Sequence, residues 1–150
     1  MQNGSTAFVD TNVLLYAQDP REPVKQARAA EWLAYCWAQH CGRISTQVLN
    51  EYYANLRKAA PALTADATRA LVRRYRAWQP WVVDDITVDR AWVLQDRFQF
   101  NYWDALMVAA AQQLGCAFLL TEDLQHEQCL DNLQVINPFR TDPAALGLTP

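Results

Sequence analysis

The chain has 150 residues, 51% of them hydrophobic, with only four glycines and seven prolines. That composition fills one core and leaves little room for low-complexity or disordered segments. A net charge of −3 argues against a protein that coats nucleic acid by bulk charge, yet leaves a nuclease open, because a divalent cation offsets the charge of a carboxylate site.

In chain order, the lead-in MQNGSTA has no basic segment followed by an apolar one, so no secretory signal is expected. Ala7 to Val9 reads as a short buried strand ending at Asp10. Thr11 to Ala17 follows as one or two helical turns, stopped by Pro20 and Pro23. Across Val24 to His40 the apolar positions Ala27, Ala30, Trp32, Leu33, Tyr35 and Trp37 fit a helix, with Gly42 just past its end. Arg43 to Ser45 is a second strand, and Gln47 to Lys58 is a helix that Pro61 closes off. Thr64 suits the N-cap of the next helix, with Asp66 in its first turn, and that helix runs to about Trp78.

Trp81 to Val83 is a third strand. Asp84 and Asp85 form a loop, and Thr87 caps a helix through Phe98 with Asp89 in its first turn. Tyr102 to Leu114 is the most apolar helix, and Gly115 fits the left-handed position after it. Ala117 to Leu120 and Gln134 to Ile136 complete five strands. The longest uncharged run, Ala105 to Thr121, is broken by Gln112, Gln113 and Gly115 and falls short of the ~20 apolar residues of a membrane span. A cytoplasmic protein is the expectation. Residues 1–140 form one domain, and 141–150 a tail carrying Pro143, Gly147 and Pro150.

Short apolar strands alternating with helices predict an α/β fold of three layers, α/β/α, around a parallel sheet. Ligands of such sheets bind off the carboxyl ends of the strands. Four acids are each the lone charge, or nearly so, of an apolar element: Asp10 in FVDTNVLLY, Glu51 in QVLNEYYANL, Asp104 in NYWDALMVAAAQQL, and Asp123 closing AFLLTED beside Glu122. A carboxylate is expensive to desolvate without a partner. Asp10 and Asp123 fall at strand ends, and Glu51 and Asp104 in first turns of helices, so all four share one sheet edge. Crowded carboxylates need a cation, and hard oxygen donors in this number suit Mg²⁺ or Mn²⁺. Such ions promote displacement at phosphorus. The cysteines, Cys36, Cys41, Cys116 and Cys129, lack CxxC spacing and read as reduced packing residues. Glu122 and Asp123 alone would also read as solvated loop acids. A Mg²⁺-dependent receiver-type domain stays open, although the only lysines, Lys25 and Lys58, are badly placed for one.

The segments FVDTNVLLY, ISTQVLNEYY, YWDALMVAAA and LLTEDLQ, in this order and spacing, resemble the PIN-domain ribonucleases, and among them the VapC-type toxins of toxin–antitoxin pairs. The resemblance spans roughly residues 7 to 138. It implies a five-stranded parallel sheet of order 3-2-1-4-5 and a Mg²⁺- or Mn²⁺-dependent endoribonuclease acting on RNA. It further implies a homodimer inhibited by a cognate antitoxin. By motif, Asp10, Glu51, Asp104 and Asp123 match the acidic catalytic and metal-binding positions, and Thr11, Asn12 and Thr121 the polar positions that support them. One departure stands out: Glu127 occupies a place where many relatives have glycine. A PIN nuclease for RNA processing or DNA flaps, outside any toxin system, and a catalytically silent RNA- or protein-binding module are the alternatives.

Other residues carry two readings each. Arg69, Arg73 and Arg76 line one helix face, as a solvated face or as a track for RNA phosphates. His126 is either a surface loop residue or a group near the metal. The six tryptophans suit core or dimer packing better than base stacking.

Overall fold

A computed structural model describes residues 5–146. Four parallel strands and one antiparallel edge strand form its sheet, in the order β2-β1-β3-β5-β4. β1 (Ala7–Val9) lies centrally, between β2 (Gly42–Arg43) and β3 (Phe118–Leu120). Val9 stands opposite Leu120, and Leu120 opposite Ile136 of β5 (Leu133–Ile136). Phe8, Val9, Leu119, Leu120 and Val135 have no exposed surface. Helices therefore cover both faces, as an all-apolar strand requires.

The helices are α1 (Thr11–Tyr16), α2 (Pro23–Gln39), α3 (Thr46–Ala59), α4 (Ala65–Arg74), α5 (Asp85–Phe98) and α6 (Tyr102–Gln113). In α6 every residue from Ala105 to Ala111 is buried, and three successive alanines let neighbouring elements approach closely. The buried side of α2 carries Ala29, Trp32, Leu33, Tyr35 and Cys36, whereas Ala27 and Ala30 are exposed. Ser45, Thr64 and Asn101 each accept a backbone N–H three residues on, which caps α3, α4 and α6. No helix among the described residues is long and apolar enough to cross a membrane.

Several expectations need correcting. Trp81 to Val83 is not a strand: Trp81 makes one parallel bridge to Ser45 beyond β2. Pro80 has no N–H to offer, Val82 is 69% exposed, and the partner chain turns into α3 after Ser45. An unanticipated pair of residues, β4 (Cys129–Leu130), instead forms a hairpin with β5 around Asp131, whose φ is 60°. Asp84 rather than Thr87 caps α5, accepting the Thr87 N–H at 2.9 Å. α4 ends at Arg74 and continues as a 3₁₀ turn, Tyr75–Trp78. The left-handed residue closing α2 is His40, at φ 53°. Gly42 serves close approach: a Cβ there would lie 2.6 Å from Trp78 Cζ2.

All four cysteines are free; three are buried as expected, but Cys129 is exposed on the edge strand. Trp92 and Trp103 are 54% and 61% exposed, so core packing does not account for them. The tail begins under Trp32, whose Nε1 donates to the carbonyls of Pro138 and Thr141, and Ala144–Leu146 forms a 3₁₀ turn. Gly147 and Pro150 lie outside the described residues, as does the start of the lead-in.

Candidate active site

β1 hands the chain to α1 at Asp10, whose extended backbone donates its N–H to the Leu120 carbonyl at 3.1 Å. The carboxyl is thereby fixed at the carboxyl edge of the sheet, between β1 and β3, and is only 7% exposed. Thr121, fully buried at the end of β3, donates its hydroxyl to Asp10 Oδ2 at 2.8 Å and accepts the Asp123 N–H at 3.1 Å. One side chain thus orients the strand-end acid and fastens the loop that carries another. From the first turn of α1, Thr11 donates to Glu51 Oε1 at 2.9 Å and Asn12 to Asp123 Oδ2 at 3.3 Å. The α6 cap, Asn101, donates to Asp104 Oδ2 at 2.8 Å.

Asp10, Glu51, Asp104 and Asp123 all line one groove of about 420 Å³, together with Thr11 and Asn12. Glu51 reaches it from the second turn of α3, not the first. Burial, with the carboxylates of Asp123 and Asp104 adding to it against the Thr121 hydrogen bond, pushes the Asp10 carboxyl up to about 7. Asp104 is raised by burial and then by Asp123 and Glu51, with Asn101 opposing. The groove therefore holds more negative charge than its own donors offset. Among the described residues no three acidic side chains close on a single point as a ready-made metal cluster. The donor set nevertheless fits a hard cation, since Mg²⁺ keeps several waters and takes only one or two carboxylates directly.

Two cations that no sequence motif marks stand in the groove wall. Lys58 lines it, and so does Arg21, held by a two-pronged pair with Asp19 at 2.9 and 3.0 Å. The signal for Lys58 was present: Gln47, Glu51, Asn55 and Lys58 recur at helical spacing and form one polar stripe of α3, all facing the groove. Arg21 follows a proline turn, where no periodicity operates.

Neither flanking group singled out in the sequence reaches the groove. Glu122 accepts from Tyr16 Oη at 2.7 Å and Lys25 Nζ at 2.8 Å, tying α1 and α2 to the loop after β3. His126 does not line the groove: its Nδ1 accepts the Asn137 N–H at 2.9 Å and its Nε2 lies 3.2 Å from Glu127 Oε1. Glu127 itself adopts φ 67°, a left-handed backbone that favours glycine. The loop thus takes that conformation with a glutamate in place. Arg69, Arg73 and Arg76 are exposed on α4 and the turn after it, and none lines the groove.

Residues 7–129 match the family model for the PIN domain. Among solved structures the chain is similar in fold to VapC20 of Mycobacterium tuberculosis, a sarcin–ricin-loop-cleaving toxin. That likeness has a TM-score of 0.55 at 19% identity, over 79% of this chain and 90% of that one. No curated protein matches the chain by sequence.

Proposed function

The chain belongs to the PIN-domain family, and on that premise we propose that it is a metal-dependent endoribonuclease, the toxin of a type II toxin–antitoxin pair. One observation carries the reading: acids from four separate elements line a single groove, where burial, with the charges of Asp123 and Asp104 added, raises Asp10 to a pKa of about 7. A chain folding for stability alone gains nothing from such an arrangement; a chain that binds a cation does. Asp10, Glu51, Asp104 and Asp123 are the catalytic and metal-binding residues of this proposal, and Mg²⁺ or Mn²⁺ the ion. Bound there, the ion would supply Lewis acidity towards a phosphodiester and a water of lowered pKa.

The rest falls to the chain's own side chains. Thr121 orients Asp10, Thr11 orients Glu51, and Asn12 holds Asp123. Lys58 gives the RNA backbone a positive charge at the groove wall, and Arg21, paired with Asp19, adds N–H donors there. An antitoxin suited to this groove would bring Arg or Lys towards Asp10 and Asp104 and compete with the cation. A homodimer in the cytoplasm completes the proposal.

Incubating the purified chain with single-stranded RNA tests it. Cleavage should require Mg²⁺ or Mn²⁺, stop in EDTA, leave 5′-phosphate and 3′-hydroxyl ends, and fall by several orders of magnitude in Asp10→Asn. Cleavage that survives EDTA or that substitution would overturn the nuclease reading. Inhibition by the antitoxin should weaken as Mg²⁺ rises. An active nuclease that never arrests growth would be an RNA-processing enzyme outside a toxin system.

A further inference from the structure

Trp103 precedes the groove acid Asp104 and is 61% exposed, with its ring edge-on to Tyr102 at 5.2 Å. An indole left in water at a groove mouth forgoes the burial that usually retains a tryptophan. Beside the acidic groove lies a second cavity of about 440 Å³, lined by Thr46, Asn50, Val83 and Leu106. Gln47, Glu51 and Trp103 belong to both cavities, so the two form one trough with Trp103 on the shared wall.

Charge divides that trough. The acidic part has Arg21 and Lys58 in its wall, whereas no lysine or arginine lines the second cavity. A phosphate has no counter-charge there. An uncharged, flat, partly apolar group does have complements: an indole, two apolar side chains, and the Asn50 and Gln47 amides.

Gln47 adds an independent indication. Its Nε2 donates to the Trp103 carbonyl at 3.2 Å, which fixes the orientation of the amide because a carbonyl only accepts. Its Oε1 is consequently an acceptor, buried and without a protein hydrogen-bond partner among the described residues. Unmatched buried acceptors are uncommon and costly. Gln47 lines both cavities, so an N–H donor entering the trough meets this residue.

We infer that this second cavity is a nucleobase subsite: a base next to the scissile phosphate stacks on Trp103 and donates from its edge to Gln47. The inference rests on the ribonuclease reading and adds to it which residues grip a base. Every nucleobase has a π-face, so Trp103 supplies affinity, while Gln47 requires an N–H at the edge.

Binding of short single-stranded RNAs, measured by fluorescence anisotropy with the full chain in Ca²⁺, tests it. Trp103→Ala should weaken binding of intact RNA about 10-fold, the loss of one base–aromatic stack, and Trp103→Phe should restore most of it. Gln47→Leu should weaken it several-fold. In a series with one abasic position moved along the RNA, one position should bind parent and Trp103→Ala equally well. Losses that add at every position, or a Trp103→Ala chain that binds every RNA like the parent, would overturn the subsite and leave the exposed indole to a protein partner. A parent that shows the non-additive pattern but cleaves nothing in Mg²⁺ supports the subsite and sinks the ribonuclease reading alone.

Discussion

At Asp10 a carboxyl with almost no solvent contact faces the carboxylates of Asp123 and Asp104, and only the Thr121 hydroxyl opposes them. Its pKa of about 7 lies above the ordinary 3.8. Between those values the folded chain keeps a proton that the unfolded chain has released, so this group removes stability as pH rises from about 4 through 7. Asp10→Asn keeps the shape and drops the charge. In EDTA at pH 8 it should melt above the parent, by about 1 kcal/mol or more of stability, and the gap should close as the pH falls towards 4. Added Mg²⁺ should stabilise the parent and the variant far less. An acid held for a buried salt bridge would behave in the opposite way, losing about 3–5 kcal/mol; that result in thermal melts would sink the metal-site reading. Thr121→Val tests the same spot from the other side. It strands the Asp123 N–H and removes the one hydrogen bond that lowers the Asp10 pKa, so it should cost about 1–3 kcal/mol in melts and reduce Mg²⁺ affinity.

The elements that position this site were legible wherever an apolar run was bounded by a cap or a proline. β1, α1, α3 and α6 fall within a residue or two of their sequence-read bounds, since each carries an apolar run that stops at a turn, a proline or a glycine. Legibility ended where a contact elsewhere in the chain decides the outcome. Gly42 looked like a helix terminator, but the Trp78 ring, distant in sequence, is what requires it. Trp81 to Val83 has strand-like residues, yet strands need a partner, and the neighbouring chain leaves after Ser45. β4 is two residues long, below what alternation can reveal. The loop between β3 and β4 shows both sides. Its missing glycine was visible at Glu127; that the chain nonetheless takes a φ of 67° there was not. A side chain in that region costs about 1–2 kcal/mol, part of which glycine gives back in unfolded-chain entropy. Glu127→Gly should therefore leave the protein as stable as the parent or up to about 1 kcal/mol more stable, and Glu127→Val should be distinctly less stable. Urea unfolding of both settles it: a clear loss for Glu127→Gly would show that the His126 contact, not the backbone, governs the loop.

For the whole molecule, the proposed ribonuclease activity raises the question of how a chain of net charge −3 would attract a polyanion. On that reading the acidic groove would repel RNA until a cation enters, and attraction would come from a few placed charges rather than from the total. Two sets compete. Lys58 and Arg21 stand in the groove wall, whereas Arg73 and Arg76 stand exposed on α4 and the turn after it, outside that wall. Salt dependence separates them, because each phosphate contact on a single strand contributes about 0.7 to the slope of log K against log salt. For an RNA short enough to occupy only the groove, Lys58→Gln should lower that slope by about 0.7, while charge reversal at Arg73 and Arg76 should leave it unchanged. Lengthening the RNA by a few nucleotides at a time then asks whether α4 extends the path. If it does, the parent slope rises with length and the Arg73/Arg76 variant's does not, with the fold intact by circular dichroism. Equal slopes for the two proteins at every length would reduce those arginines to a solvated face. A short RNA whose slope ignores Lys58 but responds to Arg73 and Arg76 would mean that the substrate enters from α4, and that the groove wall is not where the backbone is first held.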